Sequence, residues 1–303
     1  MRLLTRSDFD GLACAVLLKQ VGVIDSWKFT HPKDLQDGII PVDSSDVLAN
    51  VPFVAGCGMW FDHHSSESMR GFPDNFRGSW KEAPSAARVI WDYYGGEKTF
   101  GPAFVDMMEA VDKLDSANLS KEEILNPGGW TLLGFIMDPR TGLGRFREFK
   151  VSNYTLMEDL IEYCRQPLAV EEILRLPDVA ERVALYWEQN TLFVKMMQER
   201  TTLRGKCAVI DLRNQDPIYV GNRFLVYALF PQCNVSAHVL WGLNRQNVAI
   251  TVGKSILDRS NKTDVAALML KYGGGGHSAV GTCQVPTALA EEKLSEIVAA
   301  LNA

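Results

Sequence analysis

No Cys-x-x-Cys pair occurs among the six cysteines of this 303-residue chain, at 14, 57, 164, 207, 233 and 283. Neither a zinc knuckle nor a disulfide framework is indicated, and the thiols read as reduced. No apolar stretch approaches the roughly 18 residues of a membrane span. Met1 to Thr5 run straight into acidic residues, so no cleavable leader is expected. Positive charge is in short supply: 31 Lys and Arg stand against 37 Asp and Glu, a net charge of −6. That balance argues against the broad basic surface that binds long duplex DNA through its phosphates. There is no internal repeat and no low-complexity segment. Gly253-Lys254-Ser255 lacks the first glycine of a Walker loop, because Val248 stands there. No Gly-x-Ser-x-Gly elbow points to a serine nucleophile. These absences leave a soluble, cytoplasmic protein of about two domains, in which metal, arginine and backbone N–H groups at a local site must receive any anionic ligand.

Acidic clusters at two strand ends are what the chain does have. Asp8-Phe9-Asp10-Gly11 lies between a short strand, Met1 to Thr5, and a helix with apolar spacing near 3.6 from Gly11 to Leu18. Asp62-His63-His64 ends the apolar run from Gly58 to Phe61, and a further strand is expected from Asp46 to Val51. In an open parallel sheet, ligands bind outside the carboxyl ends of the strands, where a helix N-terminus adds anion affinity. Carboxylate and imidazole are the ligands that suit manganese, magnesium or zinc, so Asp8, Asp10, Asp62, His63 and His64 read as a metal site for attack on a phosphate ester. Helices are expected from Ser85 to Tyr94 and from Ala103 to Leu114, and Asp112 and Asp115 at the end of the second are further ligand candidates.

Residues 155 to 200 read as amphipathic helices broken at Pro167 and Pro177, placing a domain boundary near residue 200. The expected organisation is a domain over 1–190, ending in a helical connector, and a smaller α/β domain over 200–303. In the second, strands are expected over 207–212, 235–240 and 248–252, and a helix over 264–271 leads into Gly273-Gly274-Gly275-Gly276-His277. Backbone without side chains lets successive N–H groups close on a phosphate, with His277 and Arg259 as added donors. His31 and His238 stand without neighbouring ligands and read as surface or core groups.

With the acidic motifs on strand ends and the glycine run beyond a linker, the whole chain resembles the DHH/DHHA1 phosphoesterase family. That family includes RecJ-type exonucleases, nano-RNases, cyclic dinucleotide phosphodiesterases and exopolyphosphatase-like proteins. Asp62-His63-His64 matches its eponymous triplet, and Gly273 to His277 looks like its DHHA1 signature. The resemblance implies an N-terminal DHH domain with a parallel sheet flanked by helices, and a C-terminal DHHA1 domain that closes over the cleft. It also implies manganese, with magnesium as the alternative, as one or two ions that activate a water. Asp8 and Asp10 match the first motif, His63 a ligand histidine and His64 the histidine facing the substrate phosphate. Asp112 is the choice for the fourth motif, with Asp115 a close rival.

Two positions depart from that pattern. Arg6 stands where a ligand His is usual, and a guanidinium cannot ligate a cation. Asn50 is the best match for a bridging Asp, with Asp43 and Asp46 as alternatives. The expected activity is metal-dependent hydrolysis of short phosphodiesters or phosphoanhydrides: an oligoribonucleotide, a dinucleotide or polyphosphate. His64, Asp10 and Arg6 would serve catalysis, and His64, Arg259, Gly274, Gly275, Gly276 and His277 would hold substrate. Asp8, Asp10, Asn50, His63 and Asp112 would surround the metal. The expected partner is a small phosphorylated substrate or short oligonucleotide, with no long duplex DNA and no membrane; a homodimer is left open. The rival class is a binding or regulatory protein that keeps the cleft and has lost the chemistry.

Overall fold

The computed structural model describes residues 1–166 and 168–303, so the helix break expected at Pro167 lies outside the described residues. Two compact units form, one from Met1–Asn118 with Pro127–Leu185, the other from Leu119–Asn126 with Tyr186–Ala303.

The first unit is built on β1 (Arg2–Thr5), β2 (Ser26–Phe29), β3 (Asp46–Ala49), β4 (Met59–Asp62) and β5 (Gly78–Trp80), in the order β2-β1-β3-β4-β5. All its pairings are parallel. The central strands are buried almost throughout, as parallel strands covered on both faces must be. Alternation then sorts their side chains by face. Leu3, Val47, Ala49, Met59 and Phe61 enter a core shared with the helices Phe9–Gln20, Ala86–Tyr93 and Asn153–Arg165. Leu4, Leu48 and Trp60 point the other way, into a smaller cluster with Leu35, Ile40 and Val51. Trp60 is fully buried, its indole N–H donating to the Val51 carbonyl at 2.9 Å, and truncation to Ala would cost about 3–5 kcal/mol. Phe9 to Leu18 are all buried, so the helix Phe9–Gln20 is apolar on every side and runs through the unit's interior. Gly11 permits its entry, because a Cβ there would meet the Arg6 carbonyl oxygen at 2.0 Å.

The second unit holds a mixed sheet of β6 (Thr201–Arg204), β7 (Cys207–Asp211), β8 (Val235–Trp241), β9 (Val248–Lys254), β10 (Gly275–His277) and β11 (Val280–Val285), in the order β10-β11-β9-β8-β7-β6. Only the β7–β8 pairing is parallel among the described strands of this sheet. Its core takes Val209, Val235, Ile250, Val252 and Cys283 from the strands and Leu294, Ile297 and Leu301 from the helix Ala290–Leu301. The glycine run is not the open loop expected from sequence. Gly273 and Gly274 donate to Leu270 and Met269 to close the preceding helix, and Gly275–His277 pair with β11 as a hairpin edge. Glycine is required there by close strand approach: a Cβ on Gly274 would lie 2.1 Å from the Thr282 carbonyl oxygen, and one on Gly276 2.2 Å from that of Val280.

Candidate metal centre

The carboxyl ends of β1, β3 and β4 lie side by side, and the residues that leave them build one cluster. Asp8 caps the helix Phe9–Gln20: its Oδ1 accepts from the Gly11 amide at 2.9 Å and from Asn50 Nδ2 at 3.0 Å. Its Oδ2 lies 3.3 Å from Arg6 Nε. Burial raises the Asp8 carboxyl, against the opposing Arg6 charge. Asp10, one helical step on, is buried and hydrogen-bonded to a second helix. Its Oδ2 accepts from the Ala86 amide at 2.9 Å and its Oδ1 from Ala87 at 2.8 Å, at the N-terminus of Ala86–Tyr93 where peptide dipoles favour an anion.

His63 and His64 leave β4 and are oriented differently. His63 Nδ1 is 3.0 Å from the Ala83 carbonyl, which makes it the protonated nitrogen and turns Nε2 inward. Nε2 stands 3.1 Å from Asp115 Oδ2 and 3.8 Å from Asp10 Oδ2, buried and without the geometry of a hydrogen bond. His64 Nδ1 lies 2.8 Å from the buried Asp62 carboxylate, leaving its Nε2 directed away from that pair. Among the described residues, Asp10, His63 and Asp115 bring ligand atoms within 4.8 Å of one another, as do Asp62, His63 and His64.

The electrostatics express a surplus of negative charge. Burial, Asp115 and Asp8 together push Asp10 up to about 7. Burial opposes charge on His63, but Asp115 and Asp10 overcome it and hold the imidazole at about 9. Asp115 is held below the ordinary carboxylate range despite burial, by His63, His64 and Arg140. Protons held in this way are those a cation displaces on binding.

The structure brings Asp115, not Asp112, to the cluster. Asp112 accepts from Ser85 Oγ at 2.7 Å and from Arg88 Nε at 2.8 Å, and so is committed to an ion pair that anchors the start of Ala86–Tyr93. Nor do Asp43 and Asp46 reach the site. Asp46 opens β3 and pairs with Arg2 at 2.7 Å and 3.0 Å, at the far end of the strand, roughly 10 Å away at the usual rise per residue. Asn50 fills the position after β3. It adopts φ 56°, a left-handed conformation that Asn tolerates, and its Oδ1 is buried without a partner.

Arg259, Gly274, Gly275, Gly276 and His277 all belong to the second unit, where Arg259 and His277 are exposed. Two residues that sequence reasoning passed over act at the first unit's cluster. The Ala83 carbonyl sets the His63 tautomer, and Arg140 places charge on both Asp8 and Asp115. Asp138 and Arg140, two ionisable residues directly after the apolar helix Gly129–Met137, were a weaker form of the signal that Asp62-His63-His64 gives.

No protein-family model matches the chain, and no curated protein matches it. Among solved structures, a pGpG-specific phosphodiesterase from Vibrio cholerae is 49% identical over 99% of this chain and 98% of its own, with a TM-score of 0.91. An exopolyphosphatase-related protein from Bacteroides fragilis shares the fold at 12% identity, covering 98% of this chain and 91% of its own, with a TM-score of 0.51.

Proposed function

The chain belongs to the DHH/DHHA1 phosphoesterase family, and we propose on that footing that it is a metal-dependent phosphodiesterase hydrolysing short dinucleotides of the pGpG kind. His63 carries the reading: a buried Nε2 with no hydrogen bond of its own, aimed between two carboxylates, has the form of a ligand to a cation. Asp10, His63 and Asp115 would hold manganese or magnesium, with Asp8 beside them. Such an ion, when bound, lowers the pKa of water and polarises a phosphoryl oxygen.

The protein's own groups supply the rest. Burial works against a charge on His64, but Asp62 accepts from Nδ1 and raises its pKa, which favours the imidazolium, the form in which Nε2 would donate to a phosphate oxygen. A guanidinium at Arg6 suits bidentate contact with the same phosphate. Arg259 and His277, exposed in the second unit, are that unit's candidate contacts to phosphate, and a cytoplasmic setting fits six unpaired thiols.

Arg6 is a fixed cation that cannot serve as a ligand, and Asn50 offers a neutral carbonyl oxygen in place of a bridging carboxylate, which weakens any second cation site beside Asp8. One bound ion per chain is therefore expected. Metal analysis of an Arg6→His, Asn50→Asp double variant checks this: bound manganese rises from one to two ions, and unchanged stoichiometry contradicts it. For the function itself, the test is hydrolysis of pGpG, a longer oligoribonucleotide and polyphosphate, each with manganese and with chelator. Chelator-sensitive turnover of pGpG ahead of the others is expected. Binding of pGpG without turnover would instead make the protein a ligand-binding or regulatory member.

A further inference from the structure

Beside the metal centre, the first unit holds a cleft of about 650 Å³ whose floor includes Arg6, Ser7 and Asp8. This lies within the ~300–1,000 Å³ of small-ligand pockets. Apolar and aromatic side chains, Phe29 at the end of β2, Ile39, Met137 and Tyr154, line the same cleft together with Lys28, His31 and Asp34. Ile39 is 67% exposed and Tyr154 47% exposed, so both present side-chain surface that a ligand in the cleft could cover. The Tyr154 ring is not loose. Phe29 meets it edge-on at 5.9 Å, and the residue beside it, Asn153, accepts from Arg182 Nη2 at 3.0 Å. Arg182 is itself 2% exposed and donates to the carbonyls of Asp178 and Val151, so the wall behind Tyr154 is preorganised.

We propose that this cleft is a nucleobase subsite, taking the planar base of a nucleotide whose phosphate lies towards Arg6. A guanidinium and an exposed aromatic ring in one cleft match a molecule that carries both a phosphate and a planar base, and base–aromatic stacking is the interaction an open tyrosine ring offers. Polyphosphate gains nothing from such a ring. Nor is the cleft a second metal site: of its lining, no His, Cys, Asp or Glu belongs to a metal-competent group among the described residues. The subsite rests on the phosphodiesterase reading for its role as the place where substrate identity is sensed.

Calorimetric binding of guanosine 5′-monophosphate and ribose 5-phosphate to the full chain in chelator tests the subsite without any turnover. Guanosine 5′-monophosphate should bind the parent about tenfold or more tighter than ribose 5-phosphate, and that margin should collapse in Tyr154→Ala and return in Tyr154→Phe. An Ile39→Ser variant, changed at another lining residue, should also lose part of it. Equal binding of the two probes, or a margin unaffected by both Tyr154→Ala and Ile39→Ser, overturns the proposal. Thermal melting of the variants identifies any loss due to unfolding, for which Ile39→Ser, at an exposed position, is the safeguard. Base-dependent binding with no hydrolysis of pGpG would retain the subsite and overturn the enzymatic reading instead.

Discussion

The two units bury their polar groups differently. In the first, the buried polar residues include Asp8, Asp10, Asp46, Asp62, Glu67 and Arg182; in the second, those among the described residues are Gln189, Asn222, Asn234, Ser236, Ser255 and Asn261, all neutral. Burying a charge is costly unless it is paired, whereas a neutral amide is satisfied by ordinary hydrogen bonds. Asn261, for example, donates to the Leu301 carbonyl at 2.9 Å and simply ties a loop to the last helix. A parallel sheet converges helix N-termini and strand ends on one edge, so the first unit has the means to hold Asp8, Asp10 and Asp62 buried there. A mixed sheet with hairpin connections has no such edge. Interior charge therefore marks the half of the molecule where the metal chemistry is proposed.

The contrast is sharpest at Asp115. Asp115→Asn should abolish manganese binding by calorimetry and lower turnover by roughly 10³-fold or more, about 4 kcal/mol of barrier, with little change in melting temperature. A mutant that kept its metal would remove Asp115 from the site.

The next effect belongs to the second unit and to pH. Burial pushes His238 down to about 4, so it is neutral when folded, whereas the unfolded chain takes up a proton near pH 6.5. Stability is then complete above about pH 6.5 and falls as pH drops towards 4, by at most about 3 kcal/mol. Urea titrations of the parent and His238→Gln across that window should show a steeper decline in the parent. Parallel slopes would mean that His238 is not the group responsible.

Gly276→Ala should destabilise the second unit by about 2 kcal/mol, because the new methyl meets the Val280 carbonyl, while manganese affinity in the first unit stays as it was. An equal loss of metal affinity would erase the division of labour. Smallest is Asp112→Asn, which leaves Arg88 short of its anion and costs about 1–2 kcal/mol of stability with metal binding retained. Compared with Asp115→Asn, it separates two carboxylates one helical turn apart.

That pair also shows where sequence reading reached its limit. Asp62-His63-His64 and Asp8-Phe9-Asp10 were legible because strand, turn and ligand are contiguous, and three ionisable groups after an apolar run need partners. Asp112 and Asp115 sit on neighbouring positions of one helix, and choosing between them requires knowing that Arg88, on another helix, already claims the first. Asn50 was legible in the same local sense, whereas the rivalry with Asp46 was settled by strand pairing, which sets Asp46 against Arg2. β2, β5 and β6 were not anticipated: they are three or four residues long, partly exposed and carry few apolar side chains, so pairing rather than propensity makes them strands. β10 was hidden for a stronger reason, since two of its three residues are glycine, a poor strand former. The helix Ala290–Leu301 had a readable apolar stripe, Leu294, Ile297, Val298 and Leu301, that was not singled out.

Asp10 is held by the amides of Ala86 and Ala87, residues that arrive in the chain long after it. Both its oxygens accept from that helix start, so the orientation of the carboxylate is fixed by backbone amides rather than by neighbouring side chains. The placing of Asp10 thus depends on where the helix Ala86–Tyr93 begins more than on which side chains that helix carries.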